Sequence, residues 1–289
     1  MRKRADGEKA SLQGVTREAL RSGRTRGGLL VCLLIVACAL FGPFVAPHGT
    51  TTFIGQPFAH PSSTAALGTD YLGRDVLSRF LAGGRSLLLL AVLATLLDVC
   101  SGTIVGLVAA YSLRAADEAL MRAMDLLLAF PPIVLALMCV SVVGPAAWLI
   151  VLVAGLSQMP QTARLIRAAA VQVRDLDFIK YAEAVGVPRR RILGQQILPN
   201  VIAPLMVEFG LRLTFSIGLI ASLDYLGLGV QPPSADWGLM IQENQSALGV
   251  APWPVFVPVA AIALLTIGSN LVTDGFARAV AGIDRRLDN

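Results

Sequence analysis

Six long apolar segments, almost free of charge, decide what this chain can fold into. Each approaches the roughly 20 residues that a helix needs to cross a hydrocarbon core of about 30 Å. Only 15% of all residues are charged, against about 25% in a soluble domain. The sequence therefore predicts an all-α fold, a polytopic transmembrane helical bundle of about six spans. The spans are placed at about 28–47, 86–111, 122–143, 145–163, 200–226 and 252–275.

The last four segments contain proline or glycine within their apolar run, at Pro131-Pro132, Pro160, Pro204 and Gly268. Proline is tolerated inside a span where neighbouring helices or water satisfy the freed backbone groups. These residues predict interruptions in the last four spans. Such breaks favour helices packed around a pathway over isolated membrane anchors.

The positive charges predict the orientation. With the N-terminus inside, 20 of the 24 Lys and Arg residues fall on the cytoplasmic side. The outer loops hold Arg74, Arg79 and Arg85, and Arg212 lies within a span. Because Lys and Arg are enriched in cytoplasmic loops, both termini are expected in the cytoplasm. The net charge of +5 then reflects topology, and no nucleic-acid partner is predicted.

This topology divides the chain into five parts. Residues 1–27 form a basic cytoplasmic segment, in which 8–27 fit either an interfacial amphipathic helix or a plain basic flank. The apolar run of 28–47 is too long for a cleaved signal peptide and predicts a retained helix. An extracytoplasmic loop of 48–85 follows, then a core of five spans at 86–275. A cytoplasmic tail of 276–289 ends the chain.

The charged insert at 174–200, RDLDFIKYAEAVGVPRRRILGQQILPN, separates two spans. Its Lys and Arg residues place it in water on the cytoplasmic side. Asp175 or Asp177 can cap a first helix, which Gly186 and Pro188 then stop. A second helix leads into the next span. A short helix held out from the membrane is suited to contact another cytoplasmic component.

Two charged residues lie inside the fifth span. Glu208 and Arg212 are four residues apart, so they share one helical face and can pair. Charges inside a membrane are costly and often functional. The pair either braces two helices or lines a hydrated substrate pathway. Asp98 and Asp125 are placed near span ends and are weaker candidates.

Catalytic motifs are missing from the sequence. It has no G-x-x-x-x-G-K-[ST] loop, no H-E-x-x-H and no G-x-S-x-G. His48 and His60 lie in the first outer loop without a supporting ligand cluster, so no metal site is predicted. The chain is therefore expected to be neither an enzyme nor a cofactor carrier.

Three stretches resemble one family of transporters. The insert resembles the coupling loop of ABC importer permeases, E-A-A, three residues, Gly, then about ten residues to I-L-P. Gly186 and Ile197-Leu198-Pro199 fit this spacing, whereas Lys180, Tyr181 and Ala182 stand at the E-A-A positions. LGTDYLGRDVLSR at 67–79 and SLDYLGLGVQPPSADWG at 222–238 resemble the signatures of the dipeptide, oligopeptide and nickel branch.

The resemblance implies a type I ABC importer permease fold and a multi-pass protein of a prokaryotic cell membrane. The first outer loop is similar to that of the second, C-type permease of a heteromeric pair. Implied partners are a homologous permease, two ABC ATPase subunits that hold ATP and Mg, an extracytoplasmic substrate-binding protein and membrane lipid. The expected substrate is a dipeptide or oligopeptide, with nickel or another small ligand as the alternative.

The charged residues within the spans and the three resembling stretches together give three groups of candidate functional residues. Tyr181 and Phe178 are the predicted inserted side chains of the coupling loop, and Glu208 and Arg212 are the pathway candidates. The outer segments form either a gate or a rigid connection. The ATPase-coupling residues are Asp177, Phe178, Lys180, Tyr181, Ala182, Gly186, Ile197 and Pro199, and the gate and binding-protein contacts are Asp70, Tyr71, Arg74, Asp75, Gln231, Pro232, Asp236 and Trp237.

A secondary transporter driven by an ion gradient is the alternative class. It predicts inverted repeats and paired discontinuous helices around a midplane ion site. The sequence shows no such repeat, and its intramembrane acids do not cluster in matching halves. A scaffold or channel subunit is a third hypothesis.

Overall fold

The computed structural model describes residues 14, 16 and 18–287, the last six of them by backbone alone. Within this part the only β-structure is two isolated bridges, so the predicted all-α class is confirmed. The helices are α1 Gly23–Val45, α2 Val76–Tyr111, α3 Arg114–Leu128, α4 Pro132–Val143, α5 Ala147–Arg174, α6 Asp177–Ala184, α7 Arg189–Ile192, α8 Leu198–Tyr225, α9 Trp237–Asn244 and α10 Trp253–Leu287. For 8–27, where an interfacial helix and a plain basic flank were both open, residues 14, 16 and 18–27 are described: 14, 16, 18 and 19 are helical, and α1 begins at Gly23.

Within the described residues five helical segments are long and apolar enough to cross a membrane: α1, α2, α5, the continuous stretch Arg189–Tyr225 that contains α7 and α8, and α10. Helices α3 and α4 would form a sixth span together, but they meet at an angle of 79°. Pro131 and Pro132 stand at this bend, because proline cannot continue the hydrogen-bond ladder of a preceding helix. The predicted number of about six spans is confirmed, and the third span is broken.

Several boundaries differ from the prediction. Helix α2 begins at Val76, well before residue 86, where the Asp75 side chain accepts a hydrogen bond from the Ser78 amide at 3.2 Å. Pro160 lies inside the continuous α5 and Pro204 inside the continuous α8, so neither ends its helix. The prediction of interruptions there was wrong, since buried neighbours support a helix across a single lost hydrogen bond.

Small residues let the helices approach closely. A β-carbon at Gly102 of α2 would lie 2.7 Å from Thr162 Cβ of α5, and one at Gly155 would lie 2.8 Å from Ala94 O. Helices α1 and α10 meet in the same way, where a β-carbon at Gly28 would lie 2.7 Å from Leu271 Cβ. Helices in lipid associate through such small-residue contacts.

The bundle has two distinct ends. At one end, which we call the inner end, α6 and α7 pack on the last turns of α2 and α5 around Ile179, Ile192 and Ile197. At the opposite, outer end, segments 46–75 and 226–252 cover the start of α2. Helix α1 starts at the inner end, because its later residues Ala39 and Gly42 lie against the outer half of α2.

Candidate functional site

The inner-end loop has the predicted helix–break–helix form. Helix α6 is followed by Gly186 with φ +79°, a left-handed backbone that suits glycine. The amides of Gly186 and Val187 donate to Glu183 and Ala182, each at 3.0 Å, and close the end of the helix. The predicted aspartate cap was wrong: Leu176 occupies the capping position without a side-chain bond, and Asp177 lies in the first turn.

Buried apolar side chains fix this loop on the bundle. Ile179, Ala182 and Ile197 are buried against Ala110 of α2 and Ala170 of α5. The predicted coupling residues Ala182 and Ile197 therefore act as anchors in this structure. Burial of an isoleucine side chain such as that of Ile179 or Ile197 stabilises the folded state by about 1.5–3 kcal/mol.

A charged contact adds to this anchor. Arg174 Nη1 donates to the carbonyl of Ala110 at 2.5 Å, at the end of α2. A cation at a helix C-terminus satisfies free carbonyl groups and complements the helix dipole. The last residue of α5 thus joins the last turn of α2 directly before α6 begins.

The outward face of α6 carries a free aromatic side chain. Tyr181 is 71% exposed, and Leu176 and Val185, the residues that flank α6, are exposed as well. Asp177 and Lys180 are also exposed, whereas Phe178 is half-buried against the anchor. Of the two aromatic residues predicted to insert into a partner, only Tyr181 is fully presented.

A buried ion cluster holds the outer end together. Arg79 of α2 contacts Asp70 Oδ2 at 3.4 Å and Glu243 Oε2 of α9 at 2.8 Å. Arg74 contacts the same two acids at 2.7 and 3.2 Å. Two cations and two anions therefore compensate one another out of water. We call Asp70, Arg74, Arg79 and Glu243 the outer ion cluster.

Tyr71 and His48 extend this cluster. Tyr71 Oη donates to Glu243 Oε1 at 3.1 Å, and the Tyr71 amide donates to Asn244 Oδ1 at 3.0 Å. Burial raises the pKa of the Tyr71 phenol, and burial likewise raises the pKa of Glu243 against the opposing effect of Arg74. His48 Nδ1 lies 3.3 Å from Asp75 Oδ2. The segment of 67–79 is thereby fastened to α9.

The second outer segment, 226–252, is held by hydrogen bonds within itself and to α2. Asp236 Oδ1 accepts from the Gly238 and Leu239 amides at 2.8 and 3.3 Å, capping α9, and its other oxygen accepts from Ser86 at 2.6 Å. Burial raises the pKa of Asp236. Trp237 is fully buried, and its Nε1 donates to Phe80 O at 2.8 Å.

These positions change the interpretation of the outer motifs. Five residues expected to contact a binding protein have no free surface in this structure, because they form its interior: Asp70, Arg74, Asp75, Asp236 and Trp237. Tyr71 is half-buried, whereas Gln231 and Pro232 are exposed. A surface for a partner at this end is left to Gln231, Pro232 and their exposed neighbours.

Replacing Asp236 with alanine is expected to lower the free energy of unfolding by about 0.5–2 kcal/mol, the usual cost of losing a helix cap. Asp236→Asn should retain most of the stability, because asparagine caps equally well and burial already favours the uncharged form of this side chain. Asp175→Ala, at an exposed aspartate, is the control. Denaturant unfolding in detergent measures all three, and equal values for Asp236→Ala and Asp175→Ala would contradict the assignment.

The predicted intramembrane ion pair is present. Arg212 Nε lies 2.8 Å from Glu208 Oε1, and the side chains are 12% and 5% exposed. Glu208 is ten residues past the start of α8, about 15 Å along the helix and so near mid-membrane. The Arg212 guanidinium also lies 5.3 Å from the centre of the exposed Phe215 ring.

A polar junction beside this pair was not predicted. Asp98 is fully buried in the middle of α2, where its Oδ1 accepts from Thr162 of α5 at 2.8 Å. Gln158 of α5 donates to Ser216 of α8 at 2.9 Å, and Thr95 of α2 contacts Ser216 at 3.1 Å. The placement of Asp98 near a span end was wrong. Asp98 stands at the midpoint of the predicted span 86–111, and this position could have placed it in the middle of the helix.

Among the described residues no group of His, Cys, Asp and Glu could hold a metal ion. At the inner end, α6 is anchored on α2 and α5. At the outer end, the buried ion cluster joins the 46–75 segment to α9. Polar groups lie between the membrane-spanning helices. These features indicate a multi-pass membrane protein whose two ends are built differently.

Comparison with known proteins identifies the family. Residues 102–285 match the binding-protein-dependent transport system inner membrane component family. The chain belongs to this family of ABC importer permeases, and it is a non-catalytic membrane subunit of the peptide branch, with ATP hydrolysis assigned to separate subunits.

Curated relatives match the chain along most of its length. The di/tripeptide transport system permease protein DppC of Pseudomonas aeruginosa is 36% identical over 270 residues, 91% of this chain and 88% of the relative. The glutathione transport system permease protein GsiD of Pectobacterium atrosepticum is 36% identical over 88% of this chain and 84% of its own length. The dipeptide transport system permease protein DppC of Alkalihalophilus pseudofirmus is 33% identical over 88% of this chain and 84% of its own length.

Proposed function

We propose that this chain is the C-type permease of a heteromeric pair and forms half of a pathway that imports short peptides. One observation carries the proposal: similarity to di/tripeptide and glutathione permeases spans both ends of the molecule and most of its length. The buried outer ion cluster and the anchored inner loop support a shared architecture, since both lie in segments similar to that branch.

The inner loop is the proposed docking site for an ATPase. Tyr181 is exposed on α6, and the exposed Val185 lies one turn further along the same side. An aromatic side chain set in a partner's groove often dominates the energy of an interface. Two ATPases that bind ATP and Mg would close on this helix in each permease. Because α6 is anchored on α2 and α5, displacement of α6 would move the spans.

The opposite end is proposed to receive the extracytoplasmic binding protein. Gln231 and Pro232 are exposed there, and the distribution of Lys and Arg supports both termini in the cytoplasm. The Glu208–Arg212 pair is proposed to face the pathway at the contact with the second permease. Its residual exposure beside Phe215 supports this position.

Substrate class is tested by uptake. The chain would be expressed with its second permease, ATPases and binding protein in cells that lack peptide uptake. We expect ATP-dependent accumulation of labelled dipeptides, tripeptides or glutathione. Accumulation of nickel without peptide would contradict the proposed substrate. Full uptake with both ATPases inactivated would contradict the ABC mechanism and favour an ion-driven transporter.

Gly186 provides a test of the docking loop. A β-carbon at Gly186 would meet no atom within 4 Å, so Gly186→Val acts through its left-handed backbone alone. This strain is about 1–2 kcal/mol, which lowers the population of the correctly formed loop by a factor of about 5–30. We expect ATP hydrolysis to lose its coupling to peptide uptake, measured in proteoliposomes.

Two variants control this experiment. Gly186→Asn should retain most of the coupling, because asparagine tolerates the left-handed region. Gly194→Val adds the same bulk to the same loop, also without neighbours within 4 Å, at a backbone with negative φ. Equal coupling in Gly186→Val and Gly194→Val would contradict a role for the left-handed backbone at Gly186.

A further inference from the structure

Two buried carboxyl groups meet beneath the outer loop that connects α8 with α9. Asp224 lies in the last turn of α8 and Asp236 directly before α9, and both residues are 0% exposed. Their side chains lie within hydrogen-bonding reach of each other. Two carboxylates this close, out of water, repel each other strongly, so one of them is expected to hold a proton.

The hydrogen bonds around the pair leave one place for this proton. Asp236 accepts three bonds, two from amides of α9 and one from Ser86. Asp224 Oδ1 accepts from the Val230 amide at 2.7 Å, but Asp224 Oδ2 is buried and has no partner. A buried polar atom without a partner is costly. A proton held between Asp224 Oδ2 and the Asp236 carboxyl group supplies the missing bond.

The backbone packs closely around the Asp224 side chain. A β-carbon at Gly229 would overlap Asp224 Oδ1. A β-carbon at Gly238 would lie 2.5 Å from Asp224 Cβ and 3.4 Å from Asp236 Oδ1. A bare negative charge at this position is therefore poorly solvated, which again favours a protonated pair.

The other titratable groups on the surrounding elements do not neutralise the pair. On α2, Arg79 belongs to the outer ion cluster together with Glu243 of α9, and Arg85 donates to a backbone carbonyl of α1 at 2.7 Å. On α8, the Tyr225 hydroxyl donates to a side-chain amide at 2.7 Å. The loop between α8 and α9 has no charged residue, and α10 has no titratable residue before Asp274.

We propose that Asp224 and Asp236 bind one proton between them and that this proton fastens the loop of 226–235 to the bundle. The two residues flank the loop, so a hydrogen bond between them closes it. When the proton leaves for water, two carboxylates remain side by side, and their repulsion favours an open loop. Gln231 and Pro232, which are exposed on this loop, are the proposed contacts of the binding protein. That consequence rests on the proposed function, whereas the proton site does not.

The closed loop is favoured at low pH. Burial raises the pKa of Asp236 above the ordinary aspartate value of about 3.9. The stabilisation is therefore complete below that ordinary value and is lost as the pH rises through the raised pKa. Each proton that only the closed loop holds changes the equilibrium constant for opening by up to tenfold per pH unit.

Hydrogen exchange of the loop amides tests the proposal. The full-length chain, purified with its co-purifying subunits into lipid nanodiscs, would be measured by mass spectrometry from about pH 5, above the ordinary pKa of aspartate, to about pH 9. Asp224→Asn keeps an acceptor for the Val230 amide and can donate to Asp236 without a titratable proton. Intrinsic exchange also rises with pH, so the unmodified chain is compared with Asp224→Asn at each pH. We expect the ratio of their exchange rates to rise by up to tenfold per pH unit above the raised pKa.

Two further variants complete the experiment. Asp236→Asn should match Asp224→Asn, and it decides the outcome if Asp224→Asn folds poorly. Asp175→Asn, at an exposed aspartate of the inner end, is the control and should follow the unmodified chain. A ratio that stays constant across this pH range for both pair variants would overturn the shared proton. Because exchange is measured without transport, a failure of peptide uptake would leave this result unaffected.

Discussion

Replacing Arg79 with alanine is expected to destabilise the protein by about 3–5 kcal/mol, the usual cost of removing one partner from a buried ion pair. The Arg79 side chain is 1% exposed and lies between those of Asp70 and Glu243, which are 0% and 4% exposed. Without its guanidinium the cluster holds two carboxylates and one cation. The free energy of unfolding of the detergent-solubilised chain measures this change, and limited proteolysis of the 46–75 segment reports whether the outer end opens.

An exposed arginine provides the matched control. Arg114 pairs with Glu118 at 2.9 Å on α3, but its side chain is 93% exposed. Pairs of this kind contribute only about 0.2–0.5 kcal/mol. The destabilisation caused by Arg79→Lys should lie between those of Arg79→Ala and Arg114→Ala, because lysine keeps the charge but cannot contact both acids through a planar group. If Arg79→Ala destabilises the chain no more than Arg114→Ala does, the outer ion cluster does not hold the outer end together.

The outer ion cluster shows why local sequence patterns predicted only part of the structure of the outer end. Arg79 and Glu243 are 164 residues apart in sequence, and no periodicity within either segment predicts that they meet. Charged residues in an outer loop normally face water, which is why Asp70 and Arg74 were expected at the surface. Arg74 and Arg79 instead pair with Glu243, just beyond the motif of 222–238. Asp236 and Trp237 of that motif are bonded to Ser86 and Phe80 of α2.

Where the determining chemistry is local, prediction succeeded. Gly186 adopts the left-handed backbone expected of a glycine that ends a helix, and the pairing of Glu208 with Arg212 follows from their spacing of four residues. The apolar runs located the centres of the spans because membrane solvation acts on each segment separately. Their ends depend on tertiary partners: α2 continues beyond the apolar run because α9 and the 46–75 segment cover its first turns.

Removing either charge of the Glu208–Arg212 pair is expected to cost on the order of 2.5–3.5 kcal/mol, the insertion penalty of an unpaired charge at mid-membrane. The double variant Glu208→Gln with Arg212→Met should recover most of this loss, because neither charge is then left alone. Folded yield in membranes and the free energy of unfolding in detergent measure the four members of the cycle. Ser222→Ala, at an exposed serine that bonds within α8, is the control and should change little.

The charge-swap variant, Glu208→Arg with Arg212→Glu, separates a brace from a pathway contact. The two side chains contact each other at 2.8 Å on one helix, so the swapped pair can form again and assembly should survive. A pair that only braces the bundle would then leave peptide uptake largely intact. A pair that meets the substrate would change peptide preference or stop uptake in an assembled complex, and this is the outcome we expect. Arg212 retains some exposure beside the exposed Phe215, and Ser216, one turn further along the same face of α8, contacts Thr95 of α2 and Gln158 of α5. Uptake of every peptide at the unmodified rate by the swapped complex would restrict the pair to packing.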